Sequence, residues 1–347
     1  MVYKRVILKR GKEESLKRFH PWVFSGAIAR MDNIEEGDLV TVYDHEGNLI
    51  GNGHYQIGSI AVRILTFDDT EIDSAFFVKR LTEAYKMRQA LGLSRPDNNA
   101  FRLVHGEGDR LPGLVVDIYG STAVMQAHSP GMHFARDLIA GALTQLPNGV
   151  VKNVYYKSET TLPYKAQLDP QNEYIVGKYD TDVAMENGLK FHVDWLRGQK
   201  TGFFVDQREN RSLLEHYATG RKVLNMFCYT GGFSFYALRG GAELVHSVDS
   251  SAKAISLTDA NVELNFPNCE RHKSFAVDAF KYLDEMGSDY DLIVLDPPAF
   301  AKHKSALRNA LIGYRKLNAK AFEKIKPGGI LFTFSCSQAV NKEQFRL

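Results

Sequence analysis

The feature that most constrains the fold is the alternation of strand-like and helix-like segments in the second half of the chain. After residue 186, apolar runs such as KVLNMFCY (222–229), LVHSVD (244–249) and YDLIVLDPP (290–298) are each followed by a helix-like stretch. Short apolar strands separated by helices are typical of a parallel sheet that is buried on both faces. The pattern predicts an α/β fold with a doubly wound sheet over residues 186–347.

The first half of the chain predicts two smaller domains. Residues 36–66 alternate apolar and polar side chains between glycines, which is typical of short antiparallel strands joined by tight turns. Residues 73–93 have near-helical spacing, and residues 101–120 resemble two strands around a Gly-rich turn. We therefore predict a β domain over 1–72, and a connecting helix with a small central α/β domain over 73–185.

The charge balance limits how a polyanion can bind. The 347 residues include 43 Lys and Arg against 41 Asp and Glu, a difference of +2. A nucleic acid must therefore meet a local basic patch rather than the overall charge of the protein. Residues 1–20 and 300–326 are two such patches, although each is also typical of a solvated helix face.

The cysteine content and the apolar runs indicate the cellular setting. Cys228, Cys269 and Cys336 are too few for a disulfide framework and show no metal-ligand spacing. No apolar run has the length of a signal-peptide core or of a membrane span. We expect a soluble protein in a reducing, cytoplasmic setting, without a metal site or a membrane partner.

The first three strands of the predicted sheet end in residues that suit an adenosine-type ligand. Ligands of open parallel sheets bind beyond the carboxyl ends of the strands. Gly231 lets backbone approach a ligand closely, and Asp249 can accept hydrogen bonds from both hydroxyls of a ribose. Asp278 suits an exocyclic amino group or an ordinary helix cap about equally. The segment YTGGFS lacks the G-x-G-x-x-G pattern of nicotinamide enzymes, which argues against that class.

The fourth predicted strand ends in LDPPAF, residues 295–300. Two prolines after Asp296 stop further strand pairing and present the carboxylate and Phe300 outward. A loop that only reverses direction rarely contains two prolines. The pattern favours a functional loop over a simple turn.

The fifth predicted strand, GILFTFSCS, carries Cys336 at its carboxyl end. A cysteine in a strand is more often a small buried hydrophobe than a reagent. The end position of Cys336, between Ser335 and Ser337, favours a functional thiol. We interpret Cys228 as a bystander in the glycine loop and Cys269 as a loop residue.

Five motifs occur in an informative order. NMFCYTGGFS, SVDSS, AVDAF, LDPPAF and FSCSQ resemble the successive motifs of class I S-adenosylmethionine-dependent methyltransferases, which have a Rossmann-like fold. With GQKTGFFVDQRENR (198–211) and an N-terminal barrel similar to a PUA domain, the chain resembles the ribosomal RNA large subunit methyltransferase I family. That family makes 5-methylcytosine in 23S rRNA. The likeness extends over nearly the whole chain.

The resemblance implies S-adenosylmethionine as cofactor, large-subunit rRNA as partner, and a set of site residues. In the class I strand order the fourth and fifth strands are neighbours, which implies that Asp296 and Cys336 lie side by side as catalytic residues. The implied cofactor-binding residues are Lys200, Thr201, Gly202, Phe203, Phe227, Tyr229, Gly231, Asp249, Ser250, Asp278, Ala279 and Asp296. The implied substrate-binding residues are Pro297, Pro298, Phe300, Lys304 and Arg18.

Several alternatives stay open at this point. A methyltransferase that acts on a ring nitrogen or an amino group can contain a DPP motif without a nucleophilic cysteine. A non-catalytic RNA-binding assembly factor would use the barrel and the basic patches alone. The residues do not decide whether the protein forms a homodimer. Because the chain stops at NKEQFRL, the resemblance also implies that the family's last strands are missing and that a sheet edge is exposed.

Overall fold

The structure is a computed structural model that describes residues 3–179, 181–301 and 303–346. It divides into two compact units. Unit 1 comprises residues 1–188 and 193–205, and unit 2 comprises residues 189–192 and 206–347. The three-domain division expected from the sequence is finer than these two units and stays a prediction.

The first part of unit 1 is a six-stranded sheet with one short helix. Its elements are β1 (Lys4–Leu8), α1 (Glu14–Lys17), β2 (Trp22–Phe24), β3 (Ile28–Met31), β4 (Leu39–Tyr43), β5 (Leu49–Tyr55) and β6 (Ile60–Thr66). The strand order is β2-β6-β5-β4-β1-β3, with every pair antiparallel except β1 and β4. Alternate side chains such as Val6, Leu8, Val40, Val42 and Val62 are buried together, as the alternating pattern predicts. The predicted N-terminal β-sheet is confirmed, and its bounds as a separate domain stay a prediction.

The second part of unit 1 is a five-stranded sheet with three helices. Its elements are α2 (Ser74–Ala90), β7 (Ala100–His105), β8 (Leu114–Tyr119), β9 (Thr122–Ala127), α3 (Pro130–Phe134), α4 (Arg136–Leu143), β10 (Asn153–Tyr156) and β11 (Glu173–Val176). A further strand, β12 (Val183–Glu186), follows and is not part of this sheet. The sheet has the order β11-β10-β9-β8-β7. Asp73 caps α2, because its carboxylate accepts a hydrogen bond from the Phe76 N–H at 2.8 Å. The predicted connecting helix and central α/β region are both present.

Unit 2 contains the parallel sheet. Its elements are β13 (Leu189–His192), α5 (Arg208–Tyr217), β14 (Lys222–Met226), α6 (Gly232–Arg239), β15 (Leu244–Asp249), α7 (Ala252–Asn265), β16 (His272–Ala276), α8 (Ala279–Glu285), β17 (Leu292–Leu295), α9 (Leu307–Lys324), β18 (Ile330–Thr333) and α10 (Lys342–Arg346). The five strands β14 to β18 are all parallel, in the order β16-β15-β14-β17-β18. The predicted doubly wound α/β architecture is confirmed.

The strand order of unit 2 determines where a ligand can bind. The chain adds β15 and β16 on one side of β14 and then β17 and β18 on the other side. The order therefore reverses at β14, and ligands of open α/β sheets bind beyond the carboxyl ends of the strands at such a switch point. Strand β17 is wholly buried, and apolar clusters on the two faces of the sheet hold it in place. The sheet thus provides a rigid frame for the loops at this edge.

Within the described part of the chain, no helix combines the length and the apolar character that crossing a membrane requires.

Candidate active site

The loops after β14, β15, β17 and β18 all begin at the same edge of the parallel sheet in unit 2. The parallel register pairs Leu295 with Met226 on one side and with Thr333 on the other, so these three strands end level with one another. Strand β15 ends at Asp249, beside β14. Polar residues that follow these strands are therefore concentrated along one edge, as the motif positions predicted.

The loop between β14 and α6 has an unusual backbone. Phe227, Tyr229 and Gly231 have left-handed φ angles of 57°, 50° and 83°. Two non-glycine residues in this region are rare, and such strained residues are concentrated at ligand sites. A Cβ atom at Gly231 would lie 2.6 Å from Cγ2 of Thr258, so no other residue fits there without movement. The loop is thus held in one conformation at the start of α6.

Asp249 supports this loop and has acceptor capacity left over. Its carboxylate accepts the Tyr229 N–H at 3.0 Å and the Ser251 N–H at 2.9 Å, one at each oxygen. Each carboxylate oxygen can accept a second hydrogen bond, so two donors such as the hydroxyls of a ribose can still bind. Ser250 is exposed next to it. These residues fit the adenosine part of S-adenosylmethionine.

Asp278 and Ala279 lie at the start of α8. Asp278 caps this helix, because its carboxylate accepts the Lys281 N–H at 3.0 Å. Ala279 is buried in the apolar cluster that contains Val248 and Leu283. The cap contact was one of the two readings of Asp278, and a contact with a ligand amino group stays a prediction.

Asp296 follows β17 directly and is largely withdrawn from solvent. One of its oxygens, Oδ2, accepts a hydrogen bond from Nε2 of Gln207 at 3.1 Å. Burial, together with the nearby carboxylate of Asp206, raises the pKa of Asp296 to about 6, against the lowering effects of Gln207 and Arg211. A carboxyl group with this pKa is partly protonated near neutral pH and can donate a proton as well as accept one.

The loop after Asp296 contains predicted substrate-binding residues and packs on α9 through Phe300. Pro297 is buried and Pro298 is exposed. The ring of Phe300 packs on Tyr314 of α9 with ring centroids 4.6 Å apart, so one part of its surface is used by the protein itself. Lys304 is exposed beyond this loop. The predicted stacking of Phe300 on a substrate base is not represented by any contact here and stays a prediction.

Cys336 is exposed and lies against the loop that follows Asp296. Its thiol donates to the main-chain carbonyl of Pro297, with 3.7 Å between sulfur and oxygen. The next residue, Ser337, is buried and joins the two loops, since its hydroxyl oxygen accepts the Ala301 N–H at 3.1 Å and lies 2.8 Å from the Tyr314 hydroxyl. The structure therefore brings the DPPAF and SCS motifs into direct contact.

Cys228 has a different environment, at the end of β14. It is only 6 % exposed, and its sulfur lies 3.8 Å from Oγ1 of Thr258. Burial, reinforced by the negative charge of Asp249, raises the pKa of the Cys228 thiol far above its ordinary value. A thiol that stays protonated is a weak nucleophile, which supports the interpretation of Cys228 as a bystander.

The predicted cofactor residues Lys200 to Phe203 belong to unit 1 and are firmly held there. The Thr201 hydroxyl donates to Asp117 at 2.6 Å, and the Tyr119 hydroxyl donates to the carbonyl of Phe203 at 3.1 Å. Asp117 also binds both Nε and Nη2 of Arg102. Composition alone indicates a polar loop here, yet Thr201 and Phe203 are buried. Their contact with the cofactor stays a prediction.

The two basic patches have mixed environments. Arg18 is exposed at the end of α1. In the second patch, Lys320 forms an ion pair with Asp284, and the Lys324 ammonium donates to the carbonyl of Met286, so these two side chains are used within unit 2. Lys302, which belongs to the same patch, lies outside the described residues.

Sequence reasoning missed three residues that shape this edge: Gln207, Asn210 and Tyr314. Gln207 binds Asp296, and Asn210 in turn binds Gln207 at 2.6 Å. Tyr314 lies in the middle of α9, in an ordinary helical pattern that gives no sign of its contact with Ser337. The available signal was the dense polar run DQREN (206–210) at the start of α5, the helix that precedes the first strand of the parallel sheet.

Comparisons with known proteins agree with this geometry. The model of the S-adenosylmethionine-dependent methyltransferase family matches residues 137–345, and that of the PUA-like domain matches residues 6–67. The ribosomal RNA large subunit methyltransferases I of Aeromonas hydrophila subsp. hydrophila and Klebsiella pneumoniae (strain 342) are 40 % and 38 % identical to the chain. These alignments cover 98 % and 99 % of the chain, and 87 % and 88 % of the relatives.

A solved structure has the same fold. The crystal structure of SMU.776 complexed with SAH has a TM-score of 0.81 and 24 % sequence identity, covering 100 % of this chain and 89 % of that chain. The PUA-like barrel, the methyltransferase sheet and S-adenosylmethionine as cofactor, all expected from the sequence, are confirmed by these matches. The length and identity of the alignments establish that the chain belongs to the ribosomal RNA large subunit methyltransferase I family.

Proposed function

We propose that this protein methylates carbon 5 of a cytosine in large-subunit ribosomal RNA, with Cys336 as the nucleophile and Asp296 as the residue that binds the edge of the base. The printed names of its relatives support ribosomal RNA of the large subunit as the substrate. The observation that carries the proposal is the position of the exposed Cys336 thiol against Pro297, directly after Asp296.

The chemistry of cytosine explains why a thiol is needed. Carbon 5 of the ring is a poor nucleophile, and a temporary bond at carbon 6 makes it reactive. Only about a few per cent of a cysteine of ordinary pKa is ionised near pH 7, but the thiolate is intrinsically very nucleophilic. An accessible thiol at a ligand-binding edge meets this need, whereas the buried Cys228 does not.

The reaction balances as an addition followed by an elimination. The Cys336 thiolate forms a bond to carbon 6, and the electron pair of the ring double bond moves toward carbon 5 and the ring nitrogen that accepts a proton or hydrogen bond from Asp296. Carbon 5 would then take the methyl group of S-adenosylmethionine, whose methyl–sulfur bond breaks so that the electron pair stays on sulfur and S-adenosylhomocysteine leaves. Loss of the carbon 5 proton to a base restores the double bond and expels the Cys336 thiolate.

Asp296 suits its part because of its protonation state. With a pKa of about 6, it is available in both forms near neutral pH. The protonated form donates to the ring when negative charge develops there, and the ionised form accepts from the amino group of the base. A hydrogen bond that strengthens as charge develops stabilises the transition state more than the bound substrate.

S-adenosylmethionine supplies the methyl group. Asp249 would hold its ribose, and the strained loop of Phe227, Tyr229 and Gly231 would lie along it, because these groups offer acceptors and closely approaching backbone at the switch point. Contacts from Ser250, Asp278, Ala279 and the segment Lys200 to Phe203 are part of the same proposal.

Reaction at a ring carbon requires an unstacked base, so we infer a single-stranded or flipped target nucleotide. Unit 1 presents a suitable surface for RNA. Phe24 is 49 % exposed, its ring stacks near that of His20 with centroids 6.5 Å apart, and Lys12 lines the adjoining cavity of about 350 Å³. Exposed aromatic rings among cations are typical of surfaces that bind single-stranded nucleic acid. Arg18 and Lys304 would bind phosphates.

The product and the covalent bond test the proposal together. The full chain is incubated with S-adenosylmethionine labelled with tritium in its methyl group and with unmodified large-subunit rRNA, and the RNA is digested to nucleosides. We expect the label in 5-methylcytidine. With rRNA that contains 5-fluorocytidine, wild type and Cys228→Ala should form an adduct that survives denaturing electrophoresis, and Cys336→Ala should not.

Two results would contradict the proposal. Label in a nucleoside methylated on nitrogen would point to the alternative without a covalent thiol. Binding of rRNA with no methyl transfer by the wild-type chain would point to an assembly factor. The cytoplasmic location follows from the proposed substrate, and homodimerisation stays a prediction that light scattering can check.

A further inference from the structure

Gln207 and Asn210 form a hydrogen-bonded chain that ends on Asp296. Asn210 donates from Nδ2 to Oε1 of Gln207 at 2.6 Å, and Gln207 donates from Nε2 to Oδ2 of Asp296 at 3.1 Å. The three side chains are partly buried. Gln207 immediately precedes α5, and Asn210 lies three residues later, so both side chains are on the same face of the first helical turn.

The side chain of Gln207 is not used to satisfy the start of the helix. Residues at this position commonly accept hydrogen bonds from the first N–H groups of the helix. The Gln207 side chain makes no such bond to α5. Its amide is therefore directed away from the helix backbone, toward Asp296, and a merely structural role in starting the helix does not account for it.

The direction of these two hydrogen bonds determines which oxygen of Asp296 can carry a proton. Because the Asn210 N–H occupies the oxygen of the Gln207 amide, the amide must present its nitrogen to Asp296. Oδ2 of Asp296 then accepts an N–H. When the carboxyl is protonated, its proton therefore lies on the other oxygen, Oδ1.

We propose that Gln207, oriented by Asn210, is a positioning residue that fixes the carboxyl of Asp296 so that Oδ1 carries the proton toward the substrate base. This inference rests on the proposed role of Asp296 and identifies the two residues that make that role directional. Gln207 touches neither substrate nor cofactor in this scheme and acts only through Asp296. Besides Gln207, two charged groups act on Asp296: Asp206 raises its pKa and Arg211 lowers it.

Kinetics of the full chain with rRNA test the proposal. In Gln207→Leu we expect kcat to fall about 10- to 100-fold, because the carboxyl loses its orientation, while KM for S-adenosylmethionine stays within a factor of two or so. Loss of a donor to the carboxylate raises the pKa of Asp296, so the decline of activity at high pH should move upward by roughly one pH unit. A residue that only stabilises the fold would not move this limb of the profile.

A double-mutant cycle tests whether Asn210 acts on Asp296 through Gln207. Asn210→Leu should lower kcat less than Gln207→Leu, and the double variant should be no slower than Gln207→Leu alone, since Asn210 acts through Gln207. Glu209→Gln, an exposed neighbour on the same helical turn, is the matched control and should match wild type. Thermal unfolding of each variant identifies any that fail to fold.

Two outcomes overturn the inference. One is an unchanged pH profile and kcat in folded Gln207→Leu. The other is additive losses in the double variant. Failure of the proposed function gives a different result, since the wild type would then form no adduct with 5-fluorocytidine rRNA. If the wild type forms the adduct and Gln207→Leu behaves like wild type, only the positioning role is wrong.

Discussion

Cys228 and Cys336 stand just beyond two strands of the same sheet, and their environments are opposite. Cys228 follows the central strand β14, is nearly inaccessible, and has a pKa raised far above its ordinary value by burial and by Asp249. Cys336 follows β18, is exposed, and donates to the Pro297 carbonyl. The same side chain at the same edge of the sheet is a core group in one position and a candidate reagent in the other.

Neighbouring elements account for the burial of Cys228. β14 has a neighbour on each side, so the loop that follows it is covered by residues from adjacent elements, including Thr258 of α7. The Cys336 thiol instead lies beside the Pro297 carbonyl of a neighbouring loop and stays exposed. The cover that surrounding elements provide thus separates a protected thiol from an accessible one.

The largest effect is expected from removing each thiol. Cys336→Ser should lower the rate of methyl transfer by at least about a thousandfold, because the hydroxyl cannot replace a thiolate in the addition to carbon 6. Cys228→Ser should stay within about fivefold of wild type. Single-turnover transfer of tritium to rRNA measures both rates. Equal losses in the two variants would remove the functional distinction between the cysteines.

The next effect is the difference in chemical reactivity. Iodoacetamide should alkylate Cys336 about 100-fold faster than Cys228 in the folded protein, because alkylation requires an accessible thiolate. In denaturant the two rates should become similar. Mass spectrometry of peptides from timed samples gives both rates. A fast reaction at Cys228 in the folded state would show that its burial does not protect it.

The origin of this contrast was only partly predictable from the sequence. The apolar runs of the strands predicted the parallel sheet, because strands buried on both faces have few polar positions. The two prolines after Asp296 predicted a functional loop at its edge. That Cys228 is buried beneath Thr258 was not readable, since residues 30 positions apart meet only in the folded chain.

The supporting contacts of the site were harder still to predict. Gln207 and Asp296 are 89 positions apart, and one hydrogen bond between two side chains leaves no periodic pattern in the sequence. The left-handed backbone of Phe227 and Tyr229 was also hidden, since only a glycine such as Gly231 indicates such a conformation by its identity. Thr201 is buried and hydrogen-bonded to Asp117, although its polar segment indicates an exposed loop. The two residues are 84 positions apart, so the sequence does not show that they meet.

A smaller effect is expected from disturbing the cover of Cys228. In Gly231→Ala the new methyl group would meet Thr258, which also contacts the Cys228 sulfur. We expect a loss of about 1–3 kcal/mol in the free energy of unfolding and alkylation of Cys228 about tenfold faster than in wild type. Urea unfolding and the iodoacetamide assay measure these changes.

Gly328→Ala is the matched control for this substitution. Gly328 has a similar φ of 79°, but an added Cβ meets no atom within 4 Å. It should therefore lose stability only through the backbone conformation, by roughly 1 kcal/mol, and leave Cys228 protected. If the two variants expose Cys228 equally, the contact with Thr258 is not what covers this thiol.

A pH-dependent effect on stability is expected from Asp296, the acid beside Cys336. Because the folded pKa of Asp296 is raised from 3.8 to about 6, the folded state binds its proton more tightly than the unfolded chain does. The stability linked to this group is full below about pH 4 and is lost as the pH rises through about 6. Asp296→Asn cannot ionise, so at pH 8 we expect it to be more stable than wild type by roughly 1–3 kcal/mol, although it is less active.

The comparison across pH separates this effect from ordinary changes in packing. At pH 3, below the unfolded pKa of 3.8, the carboxyl of the wild type is mostly protonated in both states, and the two proteins should have nearly equal free energies of unfolding by urea. The corresponding change beside the buried cysteine, Asp249→Asn, should lower stability, because Asp249 as a carboxylate accepts two main-chain N–H groups. If Asp296→Asn is instead less stable than wild type at pH 8, Asp296 is a structural carboxylate like Asp249. The proposed reaction at Cys336 would then lack the partly protonated acid that it requires.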